Sequence, residues 1–172
     1  NTGRLQVTGR ASSNIARFRA GSNGEQIGFH NSSNSQVGTI TVNASATAYN
    51  TSSDYRLKEN VDYTFDATTK LKQLKPARFN WIADDTNTLI DGFIAHEVQS
   101  VVPEAISGTH NEVEVWRDGE ELPDGVSIGD NKLDDDGNTI PKYQGIDQSK
   151  IVPLLVKTIQ ELEARITTLE NA

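Results

Sequence analysis

Val152-Pro153-Leu154-Leu155-Val156-Lys157-Thr158-Ile159-Gln160-Glu161-Leu162-Glu163-Ala164-Arg165-Ile166-Thr167-Thr168-Leu169 repeats its apolar residues at a regular interval. Val152, Leu155, Ile159, Leu162, Ile166 and Leu169 follow one another in steps of 3, 4, 3, 4 and 3. That places β-branched residues at heptad position a and Leu at d. The spacing predicts a helix over 149–170, capped by Ser149 or Asp147, with Pro153 tolerated because it lies near the start. So regular a seam at a chain end points to a coil between copies of the chain. The competing reading is an amphipathic helix packed on its own domain. The a/d residue types favour two strands in a parallel coil, but three heptads are too short to fix the number.

Upstream of this helix the 172 residues divide by charge near residue 53. Residues 1–53 carry Arg4, Arg10, Arg17 and Arg19 against Glu25; the other 12 basic and 23 acidic residues follow. The first part has no Lys, Asp or Pro and is rich in Ser, Thr, Asn and Gly. Leu5-Gln6-Val7, Ala16-Arg17-Phe18-Arg19 and Thr39-Ile40-Thr41-Val42 read as short strands, with polar turns at 21–24 and 31–35. So few apolar residues cannot make a private core. Either this part is a disordered tail, or its strands bury their apolar side against other copies, as in a fibrous β-stem.

Composition narrows the function classes. With no Cys there is no disulfide, thiolate zinc site or cysteine nucleophile. A net charge of -8 argues against nucleic acid or an anionic membrane as main partner. No apolar run approaches the roughly 18 residues of a membrane span. Hydrophobic content of 35% is low for one compact globule, so part of the fold is expected to be thin, extended or oligomeric. The absence of Met, with Asn1 first, suggests a fragment or a processed product.

The second part reads as globular first and helical last. Asp66 is placed to cap a short helix through Leu71 and Leu74, stopped before Pro76. Residues 78–82 alternate as a strand, and 89–95 read as a strand running into a helix. Ile94, Val98, Val101 and Val102 share one face of that helix, which Pro103 ends. Val113-Glu114-Val115-Trp116 followed by Asp118-Gly119 reads as a strand and hairpin turn. The acidic residues 110–140 are expected to form a solvated excursion.

At the charge boundary stands Ser53-Asp54-Tyr55-Arg56-Leu57-Lys58-Glu59-Asn60. Taken alone it fits a Ser or Asp helix cap with a charged first turn. It also resembles the start of the C-terminal intramolecular chaperone domain of phage tail spikes and tail fibres, a self-cleaving Ser–Lys peptidase family. Three further stretches fit in order: Ala77-Arg78-Phe79-Asn80-Trp81; Gly92-Phe93-Ile94-Ala95-His96-Glu97-Val98-Gln99 with Val102-Pro103-Glu104; and Tyr143-Gln144-Gly145-Ile146-Asp147 leading into the last helix. The resemblance covers about 54–170, and a similar domain in myelin regulatory factor transcription factors shares the Ser–Lys pair. Residues 1–53 resemble, less specifically, the end of a triple β-helical fibre stem.

The resemblance implies an α+β chain: an intertwined, triple β-helix-like trimeric stem over 1–53, and a chaperone domain over 54–172 that is small and mixed α/β. The C-terminal helix would form a trimeric coiled coil through Val152, Leu155, Ile159, Leu162, Ile166 and Leu169. The domain would trimerise, guide the upstream fibre chain into its β-stem, and then release itself by one cut at Ser53–Asp54. Ser53 would be the nucleophile and Lys58 its general base, with His96 a possible auxiliary. No cofactor or metal is implied, and the partners would be a homotrimer and the upstream chain. The stem would end in the virion tail, the chaperone in the host cytoplasm. Two other functions stay open: a permanent fibre tip that binds a receptor, motivated only by the acidic loop, and a structural trimerisation module with an inert Ser/Lys pair.

The chemistry is demanding. A free Lys near pKa 10.4 is only roughly 0.04% neutral at pH 7. Lys58 must therefore be desolvated, or sit near a positive dipole such as the N-terminus of a helix capped by Asp54. Fully extended, five residues span about 17 Å, so either the chain curls or the pair forms between subunits. Ser53 cannot attack its own carbonyl without a four-membered ring. Attack on the preceding carbonyl would cut Ser52–Ser53; attack on a second chain, or a six-membered ring through the Asp54 carboxylate, would cut Ser53–Asp54. Among the remaining candidates, His30, His96 and His110 form no H-x-x-x-H pair, so zinc is not expected. Asp134, Asp136 and Asn138 open like a calcium loop but lack its Gly and its final Glu. Trp81 and Trp116 read as core or interface residues.

Overall fold

The computed structural model describes residues 23–172. The predicted strands at 5–7 and 16–19, and part of the 21–24 turn, lie outside that range. The chain forms two compact units that meet between Tyr63 and Thr64.

In the first unit β1 (Gly24–His30), β2 (Gln36–Val42) and β3 (Thr47–Thr51) make an antiparallel sheet in that order. The predicted 31–35 turn closes the first hairpin. Asn31 Oδ1 accepts from the Ser33 and Ser35 amides at 3.0 Å, and Asn34 takes φ +57°, which Asn tolerates. Asn43 closes the second hairpin the same way, through the Ser45 and Ala46 amides. Pairing runs to Gly38↔Thr51, and Ser52 N–H still donates to the Val37 carbonyl at 3.0 Å. Every residue of β3 is exposed, Tyr49 included. Among the described residues of this unit none is buried.

The second unit gathers its buried core from Ala67, Leu74, Val98, Val101, Val102, Ala105, Ile151 and Leu154. Asp66 caps α1 (Ala67–Leu71) by accepting from the Thr69 amide at 3.0 Å. β4 (Ala77–Phe79) pairs antiparallel with β5 (Ile90–Gly92), and α2 (Ala95–Gln99) follows. β4 stops short of the expected 78–82 strand. Trp81 instead accepts from the Asp84 amide in a turn, which leaves Trp81 and Ile82 exposed rather than in the core. Helix α2 is shorter than its apolar pattern: Val98, Val101 and Val102 are buried, but Ile94 stands at its N-cap and is partly exposed. β6 (Ile106–Ser107) pairs with β7 (Gly145–Ile146), which closes the base of the long insertion.

That insertion is a solvated excursion, as expected, with no buried residue over 110–140, and it is held by its own hydrogen bonds. Three extended segments bond in a ring: Glu114 N–H to Ile140 O at 2.8 Å, Ile140 N–H to Lys132 O at 3.0 Å, Lys132 N–H to Glu114 O at 2.8 Å. Each backbone thus satisfies the next without a regular sheet. Gly119 takes φ +83° beyond Trp116, where a turn was expected. Lys132 Nζ lies 4.7 Å from the centre of the Trp116 ring and pairs with Glu120 at 2.7 Å.

Asp147 caps a short 3-10 turn (Gln148–Ile151) that runs directly into α3 (Val152–Glu170). Helix α3 buries Leu154 and Thr158, and next on that side Glu161 reaches α1. Its carboxylate accepts from the Thr68 hydroxyl at 2.6 Å and from the Ala67 and Thr68 amides at 3.1 and 2.8 Å. These bonds satisfy amides that the start of a helix leaves free. All six heptad positions, Val152, Leu155, Ile159, Leu162, Ile166 and Leu169, are exposed. The helix therefore docks on its own unit through a face other than the heptad seam.

Candidate functional site

Ser53 is the second residue past β3, so the sheet holds the chain up to the residue before it. From there the chain curls back. Tyr55–Leu57 form one 3-10 turn, closed by Leu57 N–H to Asp54 O and Lys58 N–H to Tyr55 O, both at 3.1 Å. Asp54 caps it, accepting from the Arg56 amide at 2.8 Å. After Glu59, Asn60 takes φ +51° and turns the chain again.

The turn brings Lys58 onto Ser53 within one chain. Lys58 Nζ lies 2.7 Å from Ser53 Oγ and 3.0 Å from the Ser53 carbonyl oxygen. That carbonyl belongs to the Ser53–Asp54 bond. One amine therefore touches both a hydroxyl and the acyl oxygen of the bond that follows it. As a neutral amine it could take the hydroxyl proton; as an ammonium it could polarise the carbonyl.

Two expectations about Lys58 need correction. It is not within a helix whose N-terminus opposes its charge: the turn is three residues long and Lys58 stands at its C-cap, in extended conformation at φ -127° and ψ 141°. A helical dipole at that end would favour a cation, not disfavour it. Nor is Lys58 buried within this chain. Tyr55, Leu57, Val61 and Tyr63, from the same strap, are exposed as well.

The amino-acid pattern marks Asp54 as a cap and cleavage residue and assigns no role to Arg56. In the structure Arg56 grips Asp54 with its planar fork, Nε to Oδ1 and Nη2 to Oδ2, both at 2.9 Å. The guanidinium holds the Asp54 carboxyl below its ordinary range, helped by the Arg56 amide. The available signal was the Asp-x-Arg spacing, which is too common to stand out. With its carboxylate turned to Arg56, Asp54 is poorly disposed for the six-membered-ring route.

His96 belongs to the other unit, on α2, where its ring stacks on His110 with centroids 4.1 Å apart and an interplanar angle of 14°. No spacing rule joins two residues so far apart in sequence, and the pair was not anticipated. Among the described residues no group of three or more His, Cys, Asp or Glu is placed to hold a metal ion. The calcium-like stretch is a self-capped turn in which Asp134 Oδ1 accepts from the Asp136 and Asn138 amides.

Residues 53–107 match the model of the Peptidase S74 family, the chaperone of endosialidase. The match begins on Ser53 and takes in Lys58, Asp54, Arg56 and His96. The resemblance seen in the sequence is therefore shown over this segment, and with it a likeness to a peptidase and chaperone class. No curated protein matches the chain.

Proposed function

We propose that this chain is an intramolecular chaperone for the β-stem of a phage tail fibre or spike, and that it releases itself by autoproteolysis at Ser53–Asp54. The observation that carries this reading is Lys58 Nζ at hydrogen-bond distance from both Ser53 Oγ and the carbonyl oxygen of that bond. In the proposed reaction neutral Lys58 takes the Ser53 hydroxyl proton. The Ser53 oxygen of one chain attacks the Ser53 carbonyl carbon of a second, since attack on its own would close a four-membered ring. The C–N bond breaks, the Asp54 nitrogen leaves as an amine with the proton from Lys58, and water hydrolyses the ester. No cofactor enters. His96 is kept as an auxiliary whose contribution a His96→Ala variant would measure.

Assembly is proposed to supply what the single chain lacks. The six exposed seam residues of α3 give the homotrimer its coil, and the exposed strand β3 and the apolar strap around Lys58 await neighbouring copies. Covering that strap would take Lys58 out of water and favour its neutral form. Cutting would then wait for the stem to form. The stem would remain in the virion tail, and the chaperone domain would be released in the host cytoplasm.

Ser53→Ala and Lys58→Ala test the dyad by intact mass after expression. Both variants are expected to stay uncut and to keep the wild-type oligomeric state. Release of residues 54–172 from either variant would remove the assigned dyad. A permanent receptor-binding tip would instead keep residues 54–172 attached in the wild type.

A further inference from the structure

The charged groups of the junction turn are paired unequally. Asp54 gives both carboxylate oxygens to Arg56, in two side-chain bonds of 2.9 Å. Lys58, two residues on, meets the two uncharged oxygens of Ser53. A guanidinium fork matches a carboxylate better than an ammonium does, so this division is the one the side chains favour. Asp54 still feels the charge of Lys58 through space. Released from Arg56, its carboxylate would have a cation in the same turn to approach. An ion pair there would favour the ammonium, the form of lysine that cannot accept a proton.

We infer that Arg56 is a positioning residue: by clamping Asp54 it keeps that carboxylate off Lys58 and leaves Lys58 to the Ser53 hydroxyl and carbonyl. The inference rests on the proposed role of Lys58 as base. The other titratable groups in the described part of this unit are Glu25, His30 and Tyr49 on the sheet, and Tyr55, Glu59, Asp62 and Tyr63 along the strap. Glu25 accepts from the Gln36 side-chain amide at 2.8 Å. Asp54 differs from the other carboxylates in sharing one short turn with Lys58 while being held by a second cation.

The test reads Lys58 directly. In the full chain carrying Ser53→Ala, the Lys58 ζ-nitrogen is titrated by NMR with Arg56 intact, with Arg56→Gln, with Arg56→Lys, and with Arg56→Gln plus Asp54→Asn. Arg56→Gln is expected to raise the midpoint by some tenths of a pH unit, the size an exposed ion pair supplies. Arg56→Lys should raise it less, and Asp54→Asn should cancel the rise. In chains with Ser53 restored, the pH profile of cutting should move upward by the same amount. That is about tenfold slower at neutral pH per unit, with wild-type speed regained in alkali. A Lys58 midpoint unmoved by Arg56→Gln, or a rise that Asp54→Asn does not cancel, overturns the inference. So does equal slowing at every pH. Cutting by Lys58→Ala would instead refute the base assignment, and the Lys58 titration would still report on the clamp.

Discussion

Thr158 is buried inside α3, yet its hydroxyl oxygen finds no hydrogen-bond partner among the described residues. A buried, unpaired hydroxyl costs about 1–3 kcal/mol relative to an apolar group of the same shape. Thr158→Val should therefore stabilise the unit by about 1 kcal/mol in denaturant melts. Leu154 is packed in the core at 5% exposure. Leu154→Ala should cost about 2–5 kcal/mol in the same assay. Glu161 makes a pH-dependent contribution. The Thr68 hydroxyl, then the Ala67 and Thr68 amides, hold its carboxyl below the usual 4.5. A carboxyl with a depressed folded-state value stabilises fully above its unfolded value and loses that contribution as pH falls through the folded one. Glu161→Gln should thus lower Tm at pH 7, by progressively less as pH falls below the ordinary carboxylate range.

The elements show how far the amino-acid pattern carries. Asp66 before α1, the turn at 31–35, β2 over Thr39-Ile40-Thr41-Val42, and α3 were all legible, because each follows from a local cap, alternation or period. The strand expected at 78–82 was legible in its start but not in its end. Alternation continues through Trp81 and Ile82, but a turn at Trp81 takes the backbone away from β5. The order in the 110–140 insertion was also hidden, because its hydrogen bonds join segments far apart in sequence. At the site, the Ser53–Lys58 pairing was legible as an expectation, while its 3-10 turn and the Arg56 clamp depend on side-chain directions that spacing does not specify. Helix α3 packs one face on its own unit and leaves the heptad face exposed. Ile159 and Leu162 are exposed and make no part of the unit's core. Ile159→Asp with Leu162→Asp should leave the unit folded by circular dichroism while abolishing the proposed trimer in sedimentation.

For the whole molecule, the compact units divide at Tyr63, whereas the proposed cut lies at Ser53–Asp54. The proposed bond therefore sits within the first unit, just beyond the last bond between Ser52 and β2. That position would let a completed sheet hold the reacting residue still. It would also leave the turn that carries Lys58 on the released side. Deleting residues 54–172 before folding should leave the stem aggregated, as seen by gel filtration; stem trimers from the deletion would remove the chaperone role. The central claim is that an assembled chain severs itself after Ser53. Intact mass of freshly folded wild-type protein, followed over time, tests it most directly. The account predicts conversion to a species that begins at Asp54 and ends at Ala172. A backbone that stays whole in a folded trimer, or a fragment that begins at Ser53, would contradict it.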